Sequence, residues 1–107
     1  MSPIEKTVPY QQADTTKKDN WLVYILLASD GRLYTGITTN MAQRWGKHCS
    51  KKGAKFFYGR HPIALNYLEG QHTRSSASKR EHQIKKLSRK EKWQLILNNY
   101  GPFSYQV

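Results

Sequence analysis

Five side chains in this chain are of the kinds that act on phosphate esters: Tyr24, Tyr34, Arg44, His48 and Glu81. The planar fork of an arginine grips two oxygens of a phosphate at once, which lysine cannot do. A carboxylate is a hard ligand for Mg²⁺, an ion that keeps several waters and needs only one or two protein carboxylates beside a substrate phosphate. Phenols and imidazoles can take a proton from water, the phenol from an ordinary pKa of about 10 and the imidazole from about 6.5. Hydrolysis of a phosphodiester needs these functions together: a positioned water, charge stabilisation on the non-bridging oxygens and help for the leaving oxygen. Each residue also has a plainer role. Strand tyrosines pack, an Arg/His pair four apart lines a solvated helix face, and Glu81 can be held in an ion pair with Lys79, Arg80 or Lys85.

The elements that must position these groups follow from pattern. Residues 21–28 (WLVYILLA) are apolar on both alternating faces, as a central strand covered on both sides requires. Ser29-Asp30-Gly31 then supplies turn chemistry, and residues 32–39 (RLYTGITT) are again β-prone, so the two form a hairpin. A two-residue Asp-Gly loop would put Tyr24 and Tyr34 on opposite faces. A three-residue loop with Gly31 left-handed pairs Tyr24 with Gly36 and puts both tyrosines on one face. Convergence on one phosphate calls for the second register.

Asn40 with Gln43 reads as a helix start, with Met41, Trp45 and Cys49 as the buried stripe and Arg44 and His48 beside it. That helix is expected to fade at residues 50–53. A third strand is expected over residues 62–69, ended by Gly70. A helix from about Ser76 carries Ala77, Glu81, Ile84 and Ser88 at helical spacing, which sets a carboxylate in the file that faces the sheet. Ser88-Arg89-Lys90-Glu91 is a capping box for a last helix with Trp93, Ile96, Leu97 and Tyr100 on its apolar face, stopped by Gly101-Pro102. The order β-β-α-β-α-α makes an α/β domain on a small three-stranded mixed or antiparallel sheet flanked by helices.

Charge narrows the partner. The 107 residues hold 18 Lys and Arg against 7 Asp and Glu, a formal net charge of +11. Residues 1–20 are balanced and polar, and read as a disordered leader over 1–19, so the domain over 20–101 owns the whole excess; residues 102–107 read as a tail. Such a charge points to a polyanion, nucleic acid first. No apolar run is long enough to cross a membrane, and the amino end lacks the apolar core of a secretory signal, so a cytoplasmic location is expected. Cys49 is the only cysteine, which excludes an internal disulfide and a multi-cysteine zinc site. Residues 51–61 mix Lys51, Lys52, Lys55 and Arg60 with Phe56, Phe57 and Tyr58. Together with Lys47 these basic groups are candidates for phosphate contact. The aromatics can stack on bases, or Phe56 and Phe57 can tuck under the loop as a satellite core.

Val23-Tyr24-Ile25 and Tyr34-Thr35-Gly36 on successive strands, then Ile37-Thr38-Thr39-Asn40, then Arg44 and His48 on a helix, form an ordered set. It resembles the signature of the GIY-YIG nuclease superfamily, and most of all its small bacterial single-domain, YhbQ-like members. Residues 33–39 (LYTGITT), Gly53-Ala54-Lys55 and residues 81–88 (EHQIKKLS) read like theirs, and the similarity spans about residues 21–98. The first motif reads LVY, Ile37 stands where many relatives have lysine, and Trp93 stands where some have asparagine. The resemblance implies an endonuclease that hydrolyses phosphodiesters in DNA, structure-selective or weakly sequence-specific, with a place in DNA repair or processing. It implies Tyr24, Tyr34, Arg44, His48 and Glu81 as the catalytic set and Glu81 as the ligand of Mg²⁺ or Mn²⁺; the chemistry of the residues themselves leaves either Tyr34 or His48 as the base. The rival class is a module on the same fold that binds nucleic acid without cutting it.

Overall fold

The structure, a computed structural model, describes residues 19–104, with side chains described up to residue 99. The expected leader apart from Asp19, the last residues of the expected tail and the side chain of Tyr100 lie outside those residues. Strands β1 (Trp21–Ala28), β2 (Leu33–Thr38) and β3 (Pro62–His72) form one sheet in the order β2-β1-β3. Both pairings are antiparallel. Helix α1 (Met41–Cys49) follows β2, and α2 (Arg74–Lys85) and α3 (Arg89–Ser104) follow β3. A 3₁₀ turn at Lys55–Phe57 interrupts the connection from α1 to β3.

The hairpin adopts the three-residue loop. Gly31 has φ +87°, and Tyr24 pairs with Gly36 and Leu26 with Tyr34. The central strand is buried on both faces as its composition demands. Val23 and Ile25 meet Tyr67, Ala77, Ile84 and Ile96 under α2 and α3, while Tyr24, Leu26 and Ala28 meet Phe57 with Tyr34, Met41 and Trp45 under α1. Each face therefore has its own core.

β3 runs past Gly70 to His72, and its register against β1 shifts three times. The last shift lies between the pairs Val23–Glu69 and Trp21–His72, where Gln71 has φ +62°. A bulge of this kind changes the side-chain parity of a strand, so Glu69 and His72 point the same way although their numbers differ by three. α2 starts two residues earlier than expected because Thr73 caps it: Ser76 N–H donates to Thr73 Oγ1 at 3.0 Å and Thr73 N–H to Ser76 Oγ at 3.0 Å. The capping box of α3 forms as read, with Glu91 N–H donating to Ser88 Oγ at 3.1 Å and Ser88 N–H to Glu91 Oε1 at 2.8 Å.

Three expectations about the helices are corrected, two about faces and one about an end. Cys49 is exposed and His48 is the fully buried residue of α1. A four-residue step overshoots a turn by about 40°, so a stripe begun at Met41 has rotated away from the sheet by Cys49. Leu97 is 61 % exposed, because α3 centres its buried face on Ile96, and neighbouring residues on a helix are about 100° apart. Gly101-Pro102 does not stop α3, which continues to Ser104. A residue before proline ordinarily clashes with its ring, and Gly101 has no Cβ to do so.

Candidate active site

Tyr24 is fully buried on the middle strand, and its ring lies across Gly36 of β2. A Cβ at Gly36 would overlap the Tyr24 hydroxyl and stand 2.6 Å from Cζ. The glycine after Tyr34-Thr35 thus clears a path by which the phenol crosses the edge strand. α1 brings His48 to meet it, Tyr24 Oη and His48 Nε2 lying 2.9 Å apart in a buried hydrogen bond. The back of the imidazole is closed by another glycine: a Cβ at Gly53 would come within 2.5 Å of His48 Nδ1. Lys51, and not Gly53, takes the left-handed conformation after α1, with φ +66°. Gly53 is needed for closeness, and the helix ends without it.

Tyr34 stands beside this pair, its ring 6.2 Å from that of Tyr24 and 5.3 Å from that of His48. It is less buried than Tyr24 and forms part of the wall toward solvent. Phe57 stacks on His48 at 4.6 Å and on Tyr34 at 5.2 Å, so the 3₁₀ turn roofs the cluster. The satellite-core reading holds for Phe57 and, half-buried, for Phe56.

Electrostatics tie in the remaining two residues. Burial pushes the Tyr24 phenol up to about 12; contact with the Arg44 guanidinium opposes this, and Tyr34 and the Glu81 carboxylate add to it. Arg44 on α1 therefore touches the Tyr24 hydroxyl, while the Glu81 carboxylate on α2 acts on it through charge alone. Arg44 is held firmly cationic by its contact with Tyr24, against the effect of burial. Its Nε is buried with no hydrogen-bond partner, and among the described residues no carboxylate forms an ion pair with it. Burial and the charge of Arg44 pull His48 down to about 4, so the imidazole is neutral at pH 7. Its Nδ1 is likewise buried without a partner.

Glu81 makes one of the ion pairs left open by sequence, to Lys85 at 3.2 Å with the lysine half-exposed. Arg80 turns instead to Glu69. Solvent reaches this pair at the lysine end, 52 % exposed against 17 % for Glu81, so it is partly screened and a divalent cation can compete for the carboxylate. Among the described residues no three His, Cys, Asp or Glu side chains gather as a metal cluster. One carboxylate on the next helix, with an arginine that has no carboxylate partner, fits a hydrated hard cation shared with a phosphate, and does not fit a closed protein cage.

The five candidate basic residues divide. Arg60 donates from Nε to Asp30 and from Nη1 to Phe56 O at 2.8 Å, and Lys51 Nζ donates to Arg60 O at 2.6 Å. These two brace the loop, and the hairpin turn pins its end, with Ser29 N–H donating to His61 O at 2.8 Å. Lys47, Lys52 and Lys55 are exposed. Sequence reasoning placed Gly36 and Gly53 inside motifs without a reason for either; the signal was present as glycines next to a motif tyrosine and after the His48 helix.

Comparison with known proteins agrees with this geometry. The family model of the GIY-YIG catalytic domain matches residues 20–94. A UPF0213 protein of Desulfotalea psychrophila is 46 % identical over 94 residues, covering 87 % of this chain and 86 % of the relative. One from Syntrophus aciditrophicus is 51 % identical over 78 residues, covering 72 % of this chain and 90 % of the relative. The solution NMR structure of a UPF0213 protein from Bacillus halodurans superposes with a TM-score of 0.52 at 39 % identity, covering 81 % of this chain and 93 % of that one.

Proposed function

The chain belongs to the GIY-YIG family, a nuclease superfamily whose members act on nucleic acid and generally use divalent metal ions, and from this membership and the geometry around Tyr24 we propose that it is a metal-dependent endonuclease of DNA. The observation that carries the reading is the state of Arg44: a half-buried guanidinium with an orphaned Nε, set among two phenols, with no carboxylate paired to it. A desolvated cation without an anion is costly, and a phosphodiester supplies the missing anion in a bidentate geometry.

In this reading Arg44 binds and orients the non-bridging oxygens. Glu81 would hold Mg²⁺ or Mn²⁺, which when bound polarises the phosphate and stabilises charge on its oxygens. Tyr34, the more accessible phenol, acts as the base in its phenolate form, which the charge of the adjoining Arg44 favours; it takes the proton from the attacking water and becomes the neutral phenol. His48 suits the base role less well. Its imidazole is closed off by Gly53 and Phe57, its Nε2 is engaged by Tyr24, and a pKa of about 4 makes it a weak base. It acts as a neutral anchor that holds the Tyr24 hydroxyl at the phosphate. Lys47, Lys52 and Lys55 attract the backbone without reading sequence, so binding weakens steeply with salt. A place in DNA repair or processing suits a compact domain with little sequence preference.

The test is cleavage of single-stranded, duplex, flap and branched oligonucleotides with Mg²⁺ or Mn²⁺. Wild-type protein is expected to cut at least one of these. Glu81→Ala is expected to abolish cutting while binding in chelator stays intact or tightens through loss of a negative charge. Salt-dependent binding with no cleavage under any metal would leave the binding module as the function.

A further inference from the structure

Tyr58 is the one aromatic residue of the basic loop that the domain leaves in water, 62 % exposed directly after the fully buried Phe57. Its position is not that of a floppy tip. Tyr58 closes the 3₁₀ turn, its N–H donating to Lys55 O at 3.0 Å, and steps of about 120° in such a turn send neighbours in different directions. Phe57 is driven onto His48 and Tyr34, Phe56 lies under the Arg60 guanidinium at 4.5 Å, and Tyr58 is left pointing outward from the same rigid stack. The loop is braced at its base by Lys51 and Arg60, both committed to internal bonds. The exposed cations Lys52 and Lys55 lie earlier in the same loop and remain available.

We infer that Tyr58 is a stacking platform for an unpaired nucleobase, and that the substrate of the site is a nucleic acid with at least one unpaired nucleotide beside the phosphate held by Arg44. The inference rests on the nuclease reading for the location of that phosphate, and on the loop alone for the stacking. The occupant follows from charge and shape. An exposed aromatic ring held at the end of a hydrogen-bonded turn, on a loop that also exposes two lysines, matches a base with its backbone phosphates, and a base inside a duplex has no free face to offer. An acidic protein surface would also bury a tyrosine among lysines, but the net charge of +11 and the match to a nuclease family favour a nucleobase.

The experiment measures binding of the full chain in chelator, which separates binding from cutting. The probes are a fully paired duplex and the same duplex with two nucleotides unpaired, each in DNA and RNA form, with 2-aminopurine at the unpaired position. Wild-type protein is expected to prefer the unpaired form and to quench the probe. Tyr58→Ala should shrink the ratio of the two affinities by roughly five- to a hundredfold, the range for loss of one stacked base. Tyr58→Trp should keep the ratio and the quenching. Lys52→Ala should lower both affinities together and leave the ratio alone. DNA and RNA arms tell which strand chemistry is taken; the ratio collapsing in either supports the inference. An equal effect of Tyr58→Ala on paired and unpaired probes in both arms, or no effect, overturns it. If cleavage is found and the ratio ignores Tyr58, the stacking inference falls and the nuclease stands. If no metal supports cleavage and the ratio still collapses, the reverse holds.

Discussion

The two faces of the sheet hold clusters of almost the same chemistry. On one, Tyr24, Tyr34, His48 and Arg44 gather, with Glu81 acting on Tyr24 through charge from α2; on the other, Tyr67, Glu69, His72, Ser76 and Arg80 gather. In the second cluster the groups satisfy one another. Tyr67 O–H donates to Glu69 Oε2 at 2.6 Å, His72 Nε2 lies 2.7 Å from Glu69 Oε1, His72 Nδ1 lies 2.8 Å from Ser76 Oγ, and Arg80 Nε donates to the same carboxylate at 3.1 Å. Burial pushes the Glu69 carboxyl up, but the bonds from Tyr67 and His72 and the charge of Arg80 outweigh it and leave it below the ordinary carboxylate range. That network ties the bulged end of β3 to α2 and leaves nothing over. In the first cluster Arg44 Nε and His48 Nδ1 are buried and unpartnered, and Glu81 turns to a half-exposed lysine. Identical residue types thus serve structure where they complete one another and a ligand where they do not.

The sharpest way to break the comparison is to remove one arginine from each face. Arg44→Ala should lower cleavage by roughly 10²–10³-fold, the usual loss for one electrostatic donor at a reacting phosphate or oxyanion. Its urea midpoint should change little, since the cation that goes has phenol contacts but no carboxylate partner. Arg80→Ala should do the opposite: its half-buried, partly screened pair puts the loss at about 1–2 kcal/mol of stability, with the folded protein cutting at the wild-type rate. A large fall in stability from Arg44→Ala, with cleavage spared, would make the first cluster structural as well.

A smaller effect separates the two histidines. His48 titrates at about 4 in the folded state against about 6.5 unfolded, so below pH 6.5 the unfolded chain takes up a proton that the native chain refuses. Its contribution to stability is complete above about pH 6.5 and lost as the pH falls toward 4, on the order of 3 kcal/mol across that window. Urea midpoints between pH 7 and 4 should fall for the wild type and fall less steeply for His48→Gln. Equal slopes for the two proteins would show that the imidazole is not the buried neutral group described.

The smallest effect sharpens the place of Glu81. Lys85→Ala should change stability by no more than about 1 kcal/mol, because the lysine end of the pair is open to solvent. A loss several times larger would mean that Glu81 is held for structure like Glu69, and would remove it from the metal assignment.

Much of this was legible in local sequence. The length of the Ser29-Asp30-Gly31 loop decided the hairpin register, and with it the common face of Tyr24 and Tyr34, because side chains alternate strictly along a strand. The apolar period of β1 required cover on both faces, and the charge of the domain called for a polyanion. Which polar groups would find partners was not legible. Tyr24 meets His48 across 24 positions and Arg80 meets Glu69 across 11, and the bulge at Gln71 that turns His72 toward Glu69 leaves no mark in a two-residue period. Nor could pattern say that Gly36 and Gly53 exist for a ring and an imidazole to lie against, or that the α1 stripe rotates far enough to bury His48 and expose Cys49. Period, turn chemistry and charge are properties of neighbouring residues, so the chain carries them before it folds. Satisfaction and close approach are properties of segments brought together, and only the packed sheet and helices decided that Arg44 would be the cation left waiting.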